Sequence, residues 1–257
     1  MRDFMESVTR EAGTLLAEFF RNGQYLQQEK SDWDLVTEAD IRSQDLITAA
    51  IRVRFPGHGI LAEEAGLRDL PDEHLWLVDP LDGTLNFVRG QGTWGVSIAY
   101  AHRDEVRLGM FYTPETGQLY HAERGKGAYL NGRPLRTSSA TRLSTSIIAC
   151  SASHEPWQED AQRIALALWP HARSLRMTGC GAGELCALAA GRVDGLVEVD
   201  GGPWDYAAGA LIVREAGGAT TAIDGSTHLP LSRSIVAAAT TELHTRITKT
   251  LHTWSED

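Results

Sequence analysis

The stretch Trp76-Leu77-Val78-Asp79-Pro80-Leu81-Asp82-Gly83-Thr84 governs how this 257-residue chain is read. Leu75-Trp76-Leu77-Val78 is an apolar run of strand length that leads straight into an acid. Pro80 has no N–H for a sheet ladder and fixes its own φ, so the strand is expected to stop with Asp79 at its end and Asp82 in the turn. Asp82-Gly83-Thr84 then reads as the start of a helix. The first N–H groups of a helix lack intrahelical partners and lie at the positive end of its dipole, and Gly83 lets a ligand approach the backbone. A plainer reading makes Asp79 a strand terminator and Asp82 an N-cap, and this stretch alone leaves both open.

Outward from it, apolar residues alternate between helix and strand spacing. Phe4, Val8, Ala12, Leu15 and Phe19 predict a helix ending near Asn22-Gly23. A second is predicted over 38–54, with Ile41, Ile47 and Ile51 on one face and Phe55-Pro56-Gly57 as its stop. Residues 59–62 form a further short strand. Residues 96–100, 106–112 and 118–122 read as antiparallel strands separated by turns. Polar residues 136–146 have a linker's composition. The second half alternates: strand 147–150, helix 160–169, strand 175–177, helix 182–190, strand 195–199, helix 206–216 and strand 235–238. Interleaved helices and sheets imply a layered α/β architecture, with an N-terminal α+β half over 1–140 and a C-terminal α/β half over 141–257.

Composition excludes several functions. The formal net charge is −10, with 42% apolar and 23% charged residues and no run of Lys or Arg. A polynucleotide footprint needs a basic patch, so no nucleic-acid partner is expected. An acidic chain can still bind an anion where cations or backbone N–H groups reverse the local field. Cys150, Cys180 and Cys186 form no disulfide framework, and no apolar signal segment follows Met1, so a reduced, cytoplasmic protein is expected. No stretch approaches the roughly 20 apolar residues of a membrane span.

Three more acidic sites resemble the first. Glu63-Glu64 follows a strand, Thr37-Glu38-Ala39-Asp40 has capping-box spacing, and Pro203-Trp204-Asp205 opens a helix. Each alone is compatible with a purely structural role. Two aspartates beside a phosphate cradle, however, supply what Mg²⁺ requires: oxygen ligands from one or two carboxylates plus a phosphate. Other motifs are weaker. Gly179-Cys180-Gly181-Ala182-Gly183-Glu184, followed by Asp200, imitates a dinucleotide fingerprint, but Glu184 stands where the third glycine belongs. The nine histidines form no H-E-x-x-H or H-x-x-x-H pair, so no histidine zinc site is expected. Ser97, Ser151 and Ser153 lack a nucleophile elbow.

In order and spacing, Ala62-Glu63-Glu64, Asp79-Pro80-Leu81-Asp82-Gly83-Thr84 and Trp204-Asp205-Tyr206-Ala207-Ala208-Gly209 resemble the three signatures of the inositol monophosphatase family, within the lithium-sensitive, Mg²⁺-dependent sugar phosphatases. The resemblance runs nearly end to end. It includes Lys30, Asp34-Leu35-Val36-Thr37, Gly125-Lys126-Gly127-Ala128 and Glu215-Ala216-Gly217-Gly218. It implies an α-β-α-β-α sandwich of the inositol monophosphatase and fructose-1,6-bisphosphatase type. It further implies one metal at Glu63, Asp79 and the Leu81 carbonyl, and a second at Asp79, Asp82 and Asp205. A third, weaker ion would use Glu63, and Mn²⁺ would be able to replace Mg²⁺. Asp40, Glu63 and Thr84 would be catalytic, with Asp40 and Thr84 orienting the attacking water. Asp82, Gly83, Thr84 and Glu198 would contact a small phosphorylated substrate. A homodimer and Li⁺ inhibition are also implied. Ala62 in place of the usual Gly and Glu184 after the glycine run depart from the pattern. Leu85-Asn86-Phe87 after Thr84 favours inositol 1-phosphate, then histidinol phosphate, over fructose 1,6-bisphosphate or 3′-phosphoadenosine phosphates. A non-catalytic regulatory role is the remaining alternative.

Overall fold

The computed structural model describes residues 1–23, 25–30, 35–65, 73–150, 158–199 and 201–253, so Asp34, Ser151, Ser153 and Asp200 lie outside the described residues. The first half comprises α1 (Arg2–Asn22), β1 (Gln27–Glu29), β2 (Leu35–Thr37), α2 (Glu38–Arg54), β3 (Gly59–Ala62), β4 (His74–Asp82), α3 (Thr84–Val88), β5 (Gly95–His102), β6 (Glu105–Thr113), β7 (Gln118–Glu123), β8 (Ala128–Leu130) and β9 (Arg133–Pro134). The second comprises β10 (Ile147–Cys150), α4 (Gln158–Leu168), β11 (Ser174–Arg176), α5 (Gly181–Ala189), β12 (Gly195–Glu198), α6 (Pro203–Glu215), β13 (Ala219–Thr221), β14 (Ile235–Ala238) and α7 (Thr241–Thr253).

Strands β3 to β9 form a seven-stranded sheet in sequence order, parallel between β3 and β4 and antiparallel elsewhere. A five-stranded sheet has the order β11-β10-β12-β14-β13. Helices α1 and α2 cover one face of the larger sheet, α5 and α6 lie between the two sheets, and α4 and α7 cover the far face of the smaller one. The result is the five-layer α-β-α-β-α sandwich that the family resemblance implies.

Because β4 is buried on both faces, it reads as a continuous apolar run. Leu75 and Leu77 enter the central core with α5 and α6, whereas Trp76 and Val78 enter the outer core with α1 and α2. Burying Leu77 and Val78 contributes about 1.5–3 kcal/mol each. The central core includes Leu61 and Phe111 from the first half and Ala149, Leu196 and Ile235 from the second. The two halves therefore share one core although each owns its sheet. Contact between α6 and β6 is unusually close: a Cβ on Gly109 would lie 2.8 Å from the carbonyl oxygen of Ala208.

Two expectations need correction. Strand β4 does not end at Asp79 but continues to Asp82, with Asp79 opposite Ser97, Asp82 opposite Gly95 and a register shift between them. Pro80 sits in that irregularity, where the ladder does not demand its missing N–H, and its carbonyl accepts from Ser43 Oγ at 2.9 Å. In α2, Ile41 is 41% exposed while Ala39, Ser43, Ile47 and Ile51 are buried. Ile41 lies two positions from Ala39 and from Ser43, about 200° around the helix and so on the opposite side.

Candidate active site

The bulge turns Asp79 and Asp82 toward one cavity of about 420 Å³ at the C-terminal end of β4. Its walls also include Glu63 from the 3₁₀ turn after β3, Glu198 at the end of β12, and Asp205 in the first turn of α6. Leu81, Gly83 and Thr84 complete the side formed by β4 and α3. Every predicted site residue except Asp40 lines this space. Asp40 is fully buried behind it, with Oδ1 accepting from Thr84 Oγ1 at 3.0 Å.

Local chemistry fixes each group. Gly83 has φ 86° and N-caps α3, and a Cβ there would meet the Thr93 carbonyl oxygen at 2.6 Å, so only glycine fits. Helix α3 spans only five residues, so its cradle offers first-turn N–H groups and little macrodipole. Asp40 performs the predicted capping with one oxygen: Oδ2 accepts from Thr37 N at 2.8 Å and from Thr37 Oγ1 at 2.5 Å. Its other oxygen holds Thr84, so the structural and site roles coexist. Asp205 likewise caps its own helix, Oδ2 accepting from Gly202 N at 2.6 Å. Asp79 Oδ1 accepts from Leu81 N at 2.9 Å, and Leu81 O accepts from Thr84 Oγ1 at 3.0 Å.

Electrostatics is the conspicuous property. Burial, followed by repulsion from Glu63, Asp82 and Asp205, pushes the Asp79 carboxyl well above the carboxylate range. Burial and then Glu63 and Asp82 do the same to Asp205, whose carboxyl also hydrogen-bonds to Asp79. Burial raises Asp82 to about 6 even though Cys180 Sγ and the Ala182 and Gly183 N–H groups donate to its Oδ2, at 3.0, 2.9 and 3.2 Å. Two carboxyls in hydrogen-bonding contact require a proton or a cation between them. This donor set is all oxygen (four carboxylates and one carbonyl), which suits a hard divalent cation.

Several contributors were not anticipated. Arg233 lines the cavity from the loop before β14, and its local sequence carries no signal of that placement. The Cys180 thiol donates to Asp82 Oδ2, a contact that its sequence surroundings do not signal. Glu184, buried on α5, accepts from Thr178 N at 2.8 Å and shares a hydrogen bond with Glu198. Lys30 forms ion pairs with Glu64 and Glu63 at 2.6 and 3.4 Å.

A sequence profile of the inositol monophosphatase family matches residues 1–256. The chain belongs to that family. The Nus factor SuhB of Vibrio cholerae is 38% identical over 234 residues, 90% of this chain and 88% of that one. The inositol-1-monophosphatase of Mesorhizobium japonicum is 36% identical over 237 residues, 91% of this chain and 89% of that one. Among solved structures, an IMPase from Thermotoga maritima superposes with a TM-score of 0.87 at 33% identity, covering 99% of this chain and 97% of that one. Membership makes the chain a relative of metal-dependent phosphoric monoester hydrolases. No helix among the described residues is long and apolar enough to cross a membrane.

Proposed function

We propose that the cavity hydrolyses a small soluble phosphate monoester, inositol 1-phosphate foremost, by direct in-line attack of water. The observation that carries this reading is the convergence of Glu63, Asp79, Asp82 and Asp205 on the first turn of α3. Mg²⁺ ions, two or three per site with Mn²⁺ as a substitute, would be held by those carboxylates and the Leu81 carbonyl; they would acidify the attacking water and offset charge on the leaving oxygen.

The chain's own groups do the positioning. Gly83 and Thr84 present backbone N–H groups to the phosphate. Thr84 Oγ1 has one proton and two acceptors, Asp40 Oδ1 and Leu81 O, so its lone pairs remain to accept from the attacking water. Burial raises the Asp40 carboxyl above its ordinary range, which favours its taking a proton relayed through Thr84. Glu198 accepts from a substrate hydroxyl, and Glu184 behind it steadies that carboxylate. The exposed Arg233 adds positive charge at the rim. Three unpaired, buried cysteines fit a reducing cytoplasm, where we place the chain as a homodimer inhibited by Li⁺.

A Nus factor relative at 38% identity favours one second reading, a regulatory binding role. A single experiment separates the two. Phosphate release would be measured from inositol 1-phosphate, histidinol phosphate, fructose 1,6-bisphosphate and 3′-phosphoadenosine 5′-phosphate, with and without Mg²⁺, in the wild type and in Asp82→Asn. Metal-dependent release from inositol 1-phosphate that Asp82→Asn abolishes is the expected result. Folded, Mg²⁺-binding protein that releases phosphate from none of the four would overturn the catalytic reading.

A further inference from the structure

The opposite end of β4 carries donors that the hydrolytic reading does not use. His74 opens β4, His102 closes β5, and the two face each other directly across the ladder. Such cross-strand neighbours have Cβ atoms about 4.5–5.5 Å apart, and here the imidazole centroids lie 5.0 Å apart. Glu73, immediately before β4, brings Oε1 to 3.6 Å from His102 Nε2. One donor atom from each of the three residues lies within 4.8 Å of the other two. Ligands about 2.0–2.2 Å from a tetrahedral ion are roughly 3.3–3.6 Å from one another, so this trio needs only small side-chain rotations to share one.

The surroundings hold the donors in place. His74 Nδ1 lies 2.8 Å from the Tyr100 hydroxyl. With Nδ1–H donating to that oxygen, the Nε2 lone pair is left for a cation, which is the backing that ligating imidazoles usually have. His58 stacks on His74 with centroids 4.3 Å apart and planes within 14°. Its Nδ1 accepts from Trp76 Nε1 at 3.1 Å, so its proton sits on Nε2 and the ring is a wall rather than a ligand. One group competes: Arg103 Nη2 lies 3.7 Å from Glu73 Oε1. Both side chains are well exposed, and surface pairs of this kind contribute little.

Two imidazole nitrogens and one carboxylate oxygen select against Mg²⁺, which wants oxygen alone, and toward borderline ions. We infer that Glu73, His74 and His102 form a Zn²⁺ site at the rim of the larger sheet, with water completing the coordination. It stands about 26 Å along β4 from Asp82, at roughly 3.3 Å per residue, and ties the first rung of β4 to the last of β5.

Isothermal titration of the full chain with Zn²⁺, in excess Mg²⁺ to keep the carboxylate cavity occupied, tests this. The expected result is one Zn²⁺ per chain, weakened at least about tenfold by His102→Ala and by Glu73→Gln and unchanged by Asp82→Asn. Long-range ¹H–¹⁵N spectra should show the His74 and His102 ring nitrogens shifting on Zn²⁺ addition. His102→Ala should retain wild-type Mg²⁺-dependent phosphate release, showing that it is folded. Absence of binding would overturn the assignment, as would a Zn²⁺ that survives His102→Ala and disappears with Asp82→Asn.

Discussion

Strand β4 has acids at one end and imidazoles at the other, and the two ends are built on opposite principles. At its C-terminal end, Asp79 and Asp82 are buried and meet Glu63 and Asp205 from distant segments. At its N-terminal end, His74 and His102 are half-exposed neighbours across a single rung, beside exposed Glu73. The first arrangement accumulates repulsion and desolvation that only cations or protons relieve. The second costs little without an ion, because its half-exposed imidazoles keep access to water and already stack and hydrogen-bond with their neighbours. A buried carboxylate centre can thus be strongly linked to its metal, whereas a surface trio of two histidines and a glutamate binds optionally.

The largest effect that would break this contrast comes from removing one charge at the acid end. Asp79→Asn should lower Mg²⁺-dependent turnover by roughly 10³-fold or more, since bound cations supply several kcal/mol of charge stabilisation. The same substitution should raise the melting temperature in EDTA, because it deletes a buried charge opposed by Glu63, Asp82 and Asp205. Turnover assays and thermal melts on one preparation read both outcomes; a variant that is inactive and also less stable in EDTA would contradict the repulsion argument.

A second test uses pH. Burial raises Asp79, Asp82 and Asp205 in the fold, Asp82 to about 6, so the folded chain binds protons that the unfolded chain releases near pH 4. The associated stability is present below about pH 4 and is lost as pH rises through about 6. In EDTA the melting temperature should therefore fall by at least about 3 °C across that window, with saturating Mg²⁺ flattening the decline. A melting curve that rises in EDTA over the same range would contradict this linkage.

The smallest effect sharpens the picture at one atom. Cys180→Ala removes one of three donors to Asp82 Oδ2 and should reduce kcat about three- to tenfold, in line with roughly 1 kcal/mol per hydrogen bond. Cys180→Ser should restore most of it. Equal losses in both variants would assign the thiol to packing alone.

Much of this was legible because local rules and the global fold agree. Strand β4, helices α1 and α2 and the strands around Ile98, Met110 and Tyr120 were all marked by apolar periodicity and turn residues. So was the convergence of acids, although only as a resemblance, since the capping box at Thr37 and Asp40 is complete on structural grounds alone. What escaped depended on distant pairing. His74 and His102 are 28 positions apart and meet only through the β4–β5 register, so no histidine spacing motif could show them. Arg233 reaches the cavity from a loop without any local signature. Helix α7 did carry a signal, with Leu243, Ile247 and Leu251 at four-residue spacing. Its five threonines, from Thr241 to Thr253, are poor helix formers and mask it.

The meeting of Gly109 with Ala208 reaches beyond packing. Asp205 lies one helical turn before Ala208, so the distance from Asp205 to Asp79 is set where α6 rests backbone against backbone on β6. A single methyl group added at position 109 would lift that turn without touching any group in the cavity. In a survey of inherited variation, loss of function at Gly109 would look like damage to a featureless strand, and its origin would be a mis-set gauge between two carboxylates.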